Sequence, residues 1–300
     1  MDALGKIRST IIDLGTEKYQ LYKVIGEGTY SKVYLALRKR KGRYDKHVAC
    51  KVIKKRYAGH DFINKFLPRE LNILRVISHP NIITVFHVAE MNNSIYIFMN
   101  YCKQGDMLDH IRTRGSLTEQ KSKHFFQQIV SAILYLHNMD IAHRDLKCEN
   151  VFLNSKNNIK IGDFGFARFC YDETTGEQIY SNTFCGSAAY AAPEIIQGLP
   201  YNPKSYDIWS MGCILYIMLT AQMPFDDTNA KRMLKFQQNR TICFAIYYEM
   251  HISSELKKLL THLLEPDVQK RATILQVAVS KWLMNSNTEK YSEWTAMYYN

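Results

Sequence analysis

The chain has 300 residues, of which 46% are hydrophobic and 22% charged, so it is long enough to bury one large core or two smaller ones. Its formal net charge of +11 suits a protein that handles polyphosphate or acidic partners. Seven cysteines without a CxxC pair argue against a disulfide framework or a zinc site. The longest apolar stretch, residues 212–221, is about half of a bilayer span. We therefore expect a soluble, cytoplasmic protein.

The densest positive run, Arg38 to Arg56, raises nucleic-acid binding as an alternative. No zinc spacing, helix-turn-helix signal or ladder of aromatic residues accompanies it. A solvated hairpin tip is the simpler interpretation. We expect neither a nucleic-acid nor a membrane partner.

Strand-like runs dominate the first third of the chain. From Tyr19 to about Asn100, short β-branched and aromatic runs such as "SKVYLALRK" and "HVACKVIKK" are divided by turn residues. One amphipathic segment, "DFINKFLPRELNILRVI", interrupts them. Pro68 indicates that its helix proper begins near that residue.

Long amphipathic helices replace the strands after Gly105. The segment "LTEQKSKHFFQQIVSAILYLHNM" begins with Thr118, a residue type that caps helix N-termini. The only strand-like runs between the later helices are short, such as "VFLN" and "IKIGD". This change predicts two subdomains, and the cleft expected between them is a favoured place for a site.

Glycine residues mark the first candidate site. The run "GEGTYSKV", Gly26 to Val33, lies between two strand-like segments, and glycine lets backbone N–H groups approach phosphate oxygens closely. A tight β-turn without function is the alternative. A dinucleotide-binding fingerprint is disfavoured because a strand, and no helix, follows Gly28.

A lysine in an apolar strand is the second candidate. Lys51 in "VACK" either reaches solvent along its methylene chain or is held by a partner. Glu70 on the predicted helix is the candidate partner. A solvated Glu70 on an exposed helix face is the alternative.

Two loops near the middle of the chain concentrate oxygen donors. Asp145 and Asn150 lie in "HRDLKCEN", and Asp163 lies in "GDFGFAR". Magnesium prefers hard oxygen ligands and keeps several waters, so these groups and nucleotide phosphates suffice to hold it. A buried salt bridge without catalytic role is the alternative for the first loop. The glycine loop, lysine, glutamate and both loops in this order leave little weight for coincidence.

This motif set resembles a eukaryotic protein kinase over about Tyr19 to Leu283. The segments "KFLPREL", "HRDLKCEN", "SNTFCGSAAYAAPEIIQGLPY" and "YDIWSMGCILYIML" are similar to testis-specific serine/threonine kinases, in the calmodulin-dependent-kinase-like group. The resemblance implies an α+β, bilobal protein kinase fold, with a small β-rich N-lobe containing one main helix and a larger, mainly helical C-lobe. It implies an N-terminal extension (1–18), a kinase domain (19–283) with N-lobe 19–99, hinge 100–104 and C-lobe 105–283, and a C-terminal tail (284–300).

The same resemblance implies ATP and Mg²⁺ as cofactors, with Mn²⁺ as an alternative ion. Ser31 replaces the usual third glycine of the loop, so we expect altered nucleotide affinity without loss of binding. Met99 falls at the gatekeeper position, before the hinge. The residues expected around the nucleotide are Ile25, Gly26, Glu27, Gly28, Thr29, Tyr30, Ser31, Lys32, Val33, Ala49, Lys51, Glu70, Met99, Asn100, Cys102, Asp106 and Glu149.

Catalytic roles follow from the resemblance residue by residue. Asp145 would accept the proton of the substrate hydroxyl, and Lys147 would stabilise phosphate charge. Asn150 and Asp163 would hold the metal, and Lys51 the α- and β-phosphates. These assignments place a base, a cation and a metal ligand on one loop, where pre-oriented charge supplies most of the catalysis of phosphoryl transfer.

Regulation is implied by the arginine that precedes the base. Arg144 and Arg168 are expected to bind a phosphate on Thr183, added by an upstream kinase or by autophosphorylation. An unmodified Thr183 in a segment that orders itself is the alternative. Lys147 and Ser187 are typical of enzymes that phosphorylate serine or threonine.

Substrate preference and partners are implied less directly. Asp106 and Glu149 lie where related kinases contact substrate arginines, so we expect protein substrates with Ser/Thr acceptors and basic residues N-terminal to them. We expect a monomer without calmodulin control, a chaperone as a further partner, a role in spermatogenesis, and the sperm flagellum or nucleus as alternatives to the cytoplasm. A pseudokinase scaffold is the main alternative function. It would require the loss of one of the four main catalytic residues, and none of them is replaced: Lys51, Asp145, Asn150 and Asp163.

Three further residues are expected to support the structure. Glu194 and Arg271 would form a buried ion pair, whose disruption would leave an unpaired charge. Asp207 would bind the backbone of the catalytic loop. The tail after Asn285 carries no basic amphipathic helix.

Overall fold

The computed structural model describes residues 10–40, 42, 44–172, 174–242 and 252–284. Two compact units divide the chain, Met1–His79 with Ile83–Lys103 and Pro80–Ile82 with Gln104–Asn300. The first contains strands β1 Thr10–Asp13, β2 Glu17–Glu27, β3 Ser31–Arg40, β4 Lys46–Lys54, β5 Val85–Met91 and β6 Ser94–Asn100, and helix α1 Leu67–Val76. The second contains helices α2 Met107–Arg114, α3 Glu119–Asn138, α4 Pro193–Ile196, α5 Pro203–Thr220, α6 Ala230–Gln238, α7 Ser254–Leu263, α8 Ile274–Ala278 and α9 Lys281–Met284. Its short strands are β7 Ile141–Ala142, β8 Val151–Leu153, β9 Ile159–Ile161, β10 Arg168–Phe169, β11 Tyr171–Asp172 and β12 Glu177–Gln178.

The first unit is a six-stranded sheet in the order β1-β2-β3-β4-β6-β5, with antiparallel neighbours. Its main helix α1 begins at Leu67, with Pro68 in the first turn, where proline's missing N–H costs nothing. A π-helical turn, Phe62–Phe66, precedes α1 directly. The prediction that the helix proper begins near Pro68 is confirmed, and the preceding apolar residues belong to that turn.

The strand that begins the described chain, β1, is an edge strand of this sheet and contributes one side chain to the hydrophobic cluster on one face. Ile12 of β1 is 4% exposed and joins a cluster that includes the buried Tyr19, Cys50 and Phe98, and the rings of Tyr19 and Phe98 stack with centroids 3.7 Å apart. Ile11, its neighbour in β1, points the other way and is 62% exposed. Period-two alternation therefore places one isoleucine of β1 in the core and one outside it.

A buried carboxylate holds the start of β2 to β3. Arg38 Nε and Nη2 each donate to Glu17 at 2.7 Å, Arg40 Nε donates at 2.5 Å, and the Tyr19 hydroxyl donates at 2.5 Å. Hydrogen bonds from Arg38 first, and then from Tyr19 and Arg40, lower the pKa of Glu17 to about 2 against the effect of burial. Part of the basic run Arg38–Arg56 thus neutralises an internal acid, so a wholly solvated hairpin tip does not describe it.

The second unit is mainly helical, and with the first it confirms the predicted α+β class. Helix α5 is buried at nearly every position, as expected of a helix that is hydrophobic all round. A Cβ on Gly212 would lie 2.8 Å from Leu264, so glycine permits α5 to pack closely on α7. The predicted N-cap Thr118 accepts a hydrogen bond from Lys121 N at the start of α3.

Six cysteines in the described part of the chain are free thiols, and five of them are buried. Cys243 and the tail from Asn285 lie outside the described residues. Among the described residues, no helix has the length and hydropathy of a membrane span.

Candidate active site

In the first unit, the glycine-rich run forms the turn between β2 and β3. Gly28 N donates to Ser31 O at 2.8 Å, and Ser31 N donates to Gly28 O at 3.3 Å. Thr29 and Tyr30 are therefore the two tip residues of a tight hairpin. A Cβ on Gly28 would lie 3.0 Å from Ser31 Oγ. The side chain of Ser31, which replaces the third glycine, thus fills the space beside Gly28. A residue larger than glycine at position 28 would be crowded by it.

Below that tip, the flanking residues belong to paired strands. Ile25, Gly26 and Glu27 end β2, and Lys32 and Val33 begin β3. Gly26 pairs with Val33, and Lys32 Nζ lies 2.9 Å from Glu27 Oε1. This exposed ion pair crosses the hairpin next to its tip.

Strand register gathers the residues predicted to contact adenine and phosphate on one face of the sheet. Val33 pairs with Lys51, and Ala49 pairs with Met99. Because side chains alternate along a strand, Ala49 and Lys51 point to the same face, together with their directly opposed neighbours. These four predicted nucleotide-binding residues are therefore neighbours in the first unit.

Lys51 and Glu70 form an ion pair on that face. Lys51 Nζ donates to Glu70 Oε1 at 2.8 Å, and the lysine side chain is 15% and the glutamate side chain 3% exposed. Two alternatives from the sequence are therefore wrong: Lys51 does not reach out to solvent, and Glu70 does not lie on an exposed helix face. Glu70 Oε2 is buried without a hydrogen-bond partner in the described part of the chain, which leaves an acceptor available.

The predicted hinge begins where β6 ends. Asn100 N donates to Thr84 O at 3.0 Å, and Thr84 N donates to the Asn100 side chain at 2.8 Å. Cys102 follows outside the strand and is half-buried. Asn100 is therefore fixed to the start of the neighbouring segment by two hydrogen bonds.

In the second unit, the catalytic loop surrounds Asp145, which is 4% exposed. Asn150 Nδ2 donates to Asp145 O at 2.8 Å and to Asp145 Oδ2 at 3.0 Å. Lys147 Nζ lies 2.9 Å from Asp145 Oδ2 and donates to Ser187 Oγ at 3.0 Å, and Ser187 N donates to Asp145 Oδ1 at 3.2 Å. Both oxygens of the carboxylate are thus held in place by hydrogen bonds, as an oriented base requires.

Helix α5 supports this loop from below. The Asp207 carboxylate accepts hydrogen bonds from His143 N at 2.9 Å and Arg144 N at 2.8 Å, and it lies 2.9 Å from His137 Nε2. The predicted contact of Asp207 with the catalytic-loop backbone is confirmed. The helix begins at Pro203, one turn before Asp207, and its N-cap is Asn202.

The two predicted metal ligands belong to loops joined by the backbone. Gly162 N donates to Asn150 O at 3.0 Å, immediately before Asp163, which is exposed and has φ +58°. Asn150 Nδ2 donates hydrogen bonds to Asp145, so the side-chain oxygen of Asn150 is the atom that can bind a cation. The described residues contain no group of three His, Cys, Asp or Glu side chains able to hold a metal. An amide and a carboxylate fit a divalent cation that takes its remaining ligands from phosphates and water.

Two arginines lie close together, Arg144 of the catalytic loop and Arg168 of the activation segment, residues 163–194. Arg144 is 1% exposed, and its guanidinium donates to Phe166 O at 2.7 Å and Ser181 Oγ at 2.9 Å. Burial first, and then the charge of Arg144, lower the pKa of Arg168. Thr183 is exposed on the same segment. No carboxylate among the described residues forms an ion pair with either arginine, so the two cations suit an anion.

Two acidic residues, Asp106 and Glu149 of the catalytic loop, lie near enough for their charges to interact. Asp106 caps helix α2 by accepting from Asp109 N at 2.9 Å, and Glu149 accepts from the Tyr190 hydroxyl at 3.3 Å. Burial, and to a lesser extent the charges of Asp109 and Glu149, raise the pKa of Asp106. A guanidinium would relieve this repulsion.

Sequence reasoning missed the side chains that position these groups. Ser181 binds Arg144, Tyr190 binds Glu149, and Gln237 of α6 donates to Ala191 O at 2.9 Å. Each contact joins residues 37 or more positions apart. No local pattern marks such residues, since serine, tyrosine and glutamine are common everywhere.

Known proteins share both the motifs and the overall sequence. The protein kinase domain family matches residues 19–283. Testis-specific serine/threonine-protein kinase 1 of Mus musculus is 45% identical over 260 residues, covering 86% of this chain and 70% of that protein. Testis-specific serine/threonine-protein kinase 3 of Homo sapiens is 45% identical over 269 residues, covering 89% and 97%. Testis-specific serine/threonine-protein kinase 4 of Homo sapiens is 39% identical over 286 residues, covering 91% and 84%.

Proposed function

The chain belongs to the protein kinases, in the testis-specific serine/threonine family, and we propose that Asp145 is the base that receives the proton of the acceptor hydroxyl. As a serine/threonine protein kinase, the protein uses ATP and a divalent metal. Bound ATP supplies the phosphoryl group. Asp145 orients the acceptor hydroxyl and takes its proton as that oxygen bonds to the γ-phosphorus and the bond from the γ-phosphorus to ADP breaks.

The neighbouring residues would stabilise the charge that moves during transfer. We propose that Asn150 and Asp163 hold Mg²⁺, while Lys51, fixed by Glu70, binds the α- and β-phosphates. Lys147 would stabilise the transferred phosphoryl group, because its ammonium already lies between Asp145 and Ser187. These charges need little reorganisation, which is where most of the rate enhancement of such reactions arises.

The assignment of Asp145 as the base rests on the geometry of its carboxylate. An amide, an ammonium and a backbone N–H hold its two oxygens in place. Asp145→Asn should lower transfer of labelled phosphate from ATP to a protein substrate by about 100-fold to 10,000-fold. The exposed Asp227→Asn is the matched control and should retain wild-type activity. Phosphoamino-acid analysis of the product should show phosphoserine or phosphothreonine. Equal labelling by wild type and Asp145→Asn would instead support the pseudokinase scaffold.

Phosphorylation of Thr183 is proposed as the activating switch. The buried Arg144 and the partly buried Arg168 lie close together without a carboxylate partner in the described residues, and Thr183 is accessible. A phosphate on Thr183 would accept charge-assisted hydrogen bonds from these guanidiniums. The phosphate would come from an upstream kinase or from the enzyme itself.

Replacement of Thr183 tests this switch directly. Thr183→Ala should strongly lower activity while leaving the melting temperature unchanged. Thr174→Ala, at an exposed threonine of the same segment, is the control and should have little effect. Full activity of Thr183→Ala would refute the switch without touching the assignment of Asp145.

A preference for basic residues N-terminal to the acceptor is proposed from Asp106 and Glu149. Burial first, and then the charges of Asp109 and Glu149, raise the pKa of Asp106, and a substrate arginine would supply the positive charge that this acidic pair lacks. An arrayed-peptide screen should show arginine enrichment that weakens in Asp106→Asn and Glu149→Gln. Indifference of the wild type to arginine would remove this proposal.

The family membership suggests where the enzyme works. We propose a monomeric kinase with a role in spermatogenesis, located in the cytoplasm, with the flagellum or nucleus of sperm as alternatives and a chaperone as a further partner. Support comes from the names of the related proteins. Comparison of phosphopeptides between wild-type and knockout testis would identify the substrates and test the role.

A further inference from the structure

The glycine hairpin has an aromatic residue at its tip. Reciprocal hydrogen bonds between Gly28 and Ser31 leave only Thr29 and Tyr30 in the turn, and the Lys32–Glu27 ion pair crosses the strands just below. Such a two-residue turn places its two central side chains at the end of the hairpin, where they can contact a neighbouring element. Tyr30 is 38% exposed, and its ring provides that contact.

The Tyr30 ring packs against Phe62. Their centroids are 5.1 Å apart with an interplanar angle of 47°, within the range in which aromatic pairs attract each other. The two residues are 32 positions apart and lie in different elements. This contact joins the hairpin tip to the helical segment that leads into α1.

Phe62 is itself fixed to the core near the Lys51–Glu70 ion pair. It begins the π-helical turn Phe62–Phe66, which continues into α1, the helix that carries Glu70. Phe62 packs against a buried cluster that contains Leu67 of α1 and Ile53 of β4. Ile53 lies two residues after Lys51 and therefore on the same face of the sheet. Single π-helical turns are rare and are frequent at functional sites.

We propose that Tyr30 and Phe62 form an aromatic latch that holds the phosphate-binding hairpin in place relative to Lys51 and Glu70 before the nucleotide binds. Both are positioning residues of the nucleotide site. A loop ordered in advance loses less conformational entropy on binding, so the latch raises nucleotide affinity. The inference goes beyond the proposed roles of Asp145 and Thr183 and does not depend on them.

Hydrogen–deuterium exchange of the nucleotide-free protein tests the latch without catalysis. Tyr30→Ala should speed exchange of the backbone amides of residues 26–33, and Phe62→Leu, which keeps an apolar side chain on the core, should do the same. The double variant should exchange no faster than either single variant. Tyr30→Phe keeps the ring and should behave as the wild type.

Calorimetric titration with ADP and Mg²⁺ supplies the second readout. The affinity for ADP should fall roughly threefold to tenfold in Tyr30→Ala and in Phe62→Leu, and the two losses should not add in the double variant. The KM for ATP should rise by the same factor. Because ADP binding requires no transfer, a failure of the Asp145 assignment would leave this result intact.

Several outcomes would overturn the latch. Additive losses in the double variant would show that the rings act independently. A lower melting temperature of Phe62→Leu without faster hairpin exchange would show a role in the core alone. Unchanged ADP affinity with a raised KM for peptide would assign Tyr30 to the protein substrate.

Discussion

The ion pair between Glu194 and Arg271 gives the sharpest test of how the second unit is held together. Arg271 donates to both carboxylate oxygens of Glu194, at 2.6 and 2.8 Å, and the two side chains are 0% and 8% exposed. The guanidinium also donates to Glu265 O at 2.9 Å and Ser205 O at 3.2 Å, and it lies 5.0 Å from the centre of the Trp209 ring. The predicted buried pair is thus confirmed, with further partners that the sequence did not show.

Removal of one partner leaves the other charge buried without its counterion. Arg271→Met should lower the free energy of unfolding by about 3–5 kcal/mol. For a unit of about 200 residues, each kcal/mol lowers the melting temperature by about 2–4 °C, so the expected decrease is about 6–20 °C. Glu194→Gln should fall in the lower part of this range, because its amide oxygen still accepts one hydrogen bond.

The assay is thermal unfolding, monitored by circular dichroism. Arg240→Met is the matched control variant. Arg240 makes the same two-pronged contact with Glu265, at 3.0 and 2.6 Å, but its side chain is 51% exposed, so its loss should shift the melting temperature far less. The double variant Glu194→Leu with Arg271→Met removes both charges. Its loss of unfolding free energy should be smaller than the sum of the losses of the single variants Glu194→Leu and Arg271→Met. Equal shifts for Arg271→Met and Arg240→Met would refute the reasoning from burial.

Three further predictions concern the core, the activation segment and the response to acid. Ile12→Ala should lower the free energy of unfolding by about 2 kcal/mol in urea, while Ile11→Ala, at the exposed neighbour, should change it little; equal effects would mean that Ile12 does not pack in the core of the sheet. Gly186→Ala should lower kcat at least about tenfold, because Gly186 has φ +90° and its Cβ would lie 3.3 Å from Asp145 Oδ1; unchanged kcat would show that the segment moves without disturbing the base. Glu17 has a pKa lowered from 4.5 to about 2, so its ion pair stabilises the fold fully above pH 4.5 and the benefit is lost as the pH falls toward 2. The difference in urea midpoint between wild type and Glu17→Gln should therefore narrow over that interval, and a constant difference would contradict the shift.

Sequence patterns predicted the parts of the fold that depend on neighbouring residues. Pro68 marked the start of α1, Thr118 marked the start of α3, and the run "HVACKVIKK" indicated the strand β4. These features follow from local backbone chemistry and side-chain periodicity. They did not place Lys51 within reach of Glu70, a pairing that the family resemblance implied.

Features that depend on distant residues were not predictable in the same way. The run "TIID" of β1 is too short and mixed to indicate a strand, and it is ordered by pairing with β2. The π-helical turn at Phe62 reads as an ordinary helix, because its apolar spacing is close to that of an α-helix. The Ser181–Arg144 contact depends on how the activation segment packs, which no spacing in the sequence records.

The position of Glu17 has a practical consequence for anyone who trims this protein for expression. The family match begins at Tyr19, so a fragment cut to that boundary would lack both β1 and the only acid that Arg38 binds in the described residues. Such a fragment would carry an unneutralised guanidinium against its sheet and an open strand edge, both of which favour aggregation during purification. Homology and folding therefore set different starting points for this kinase, and the useful one lies before Thr10.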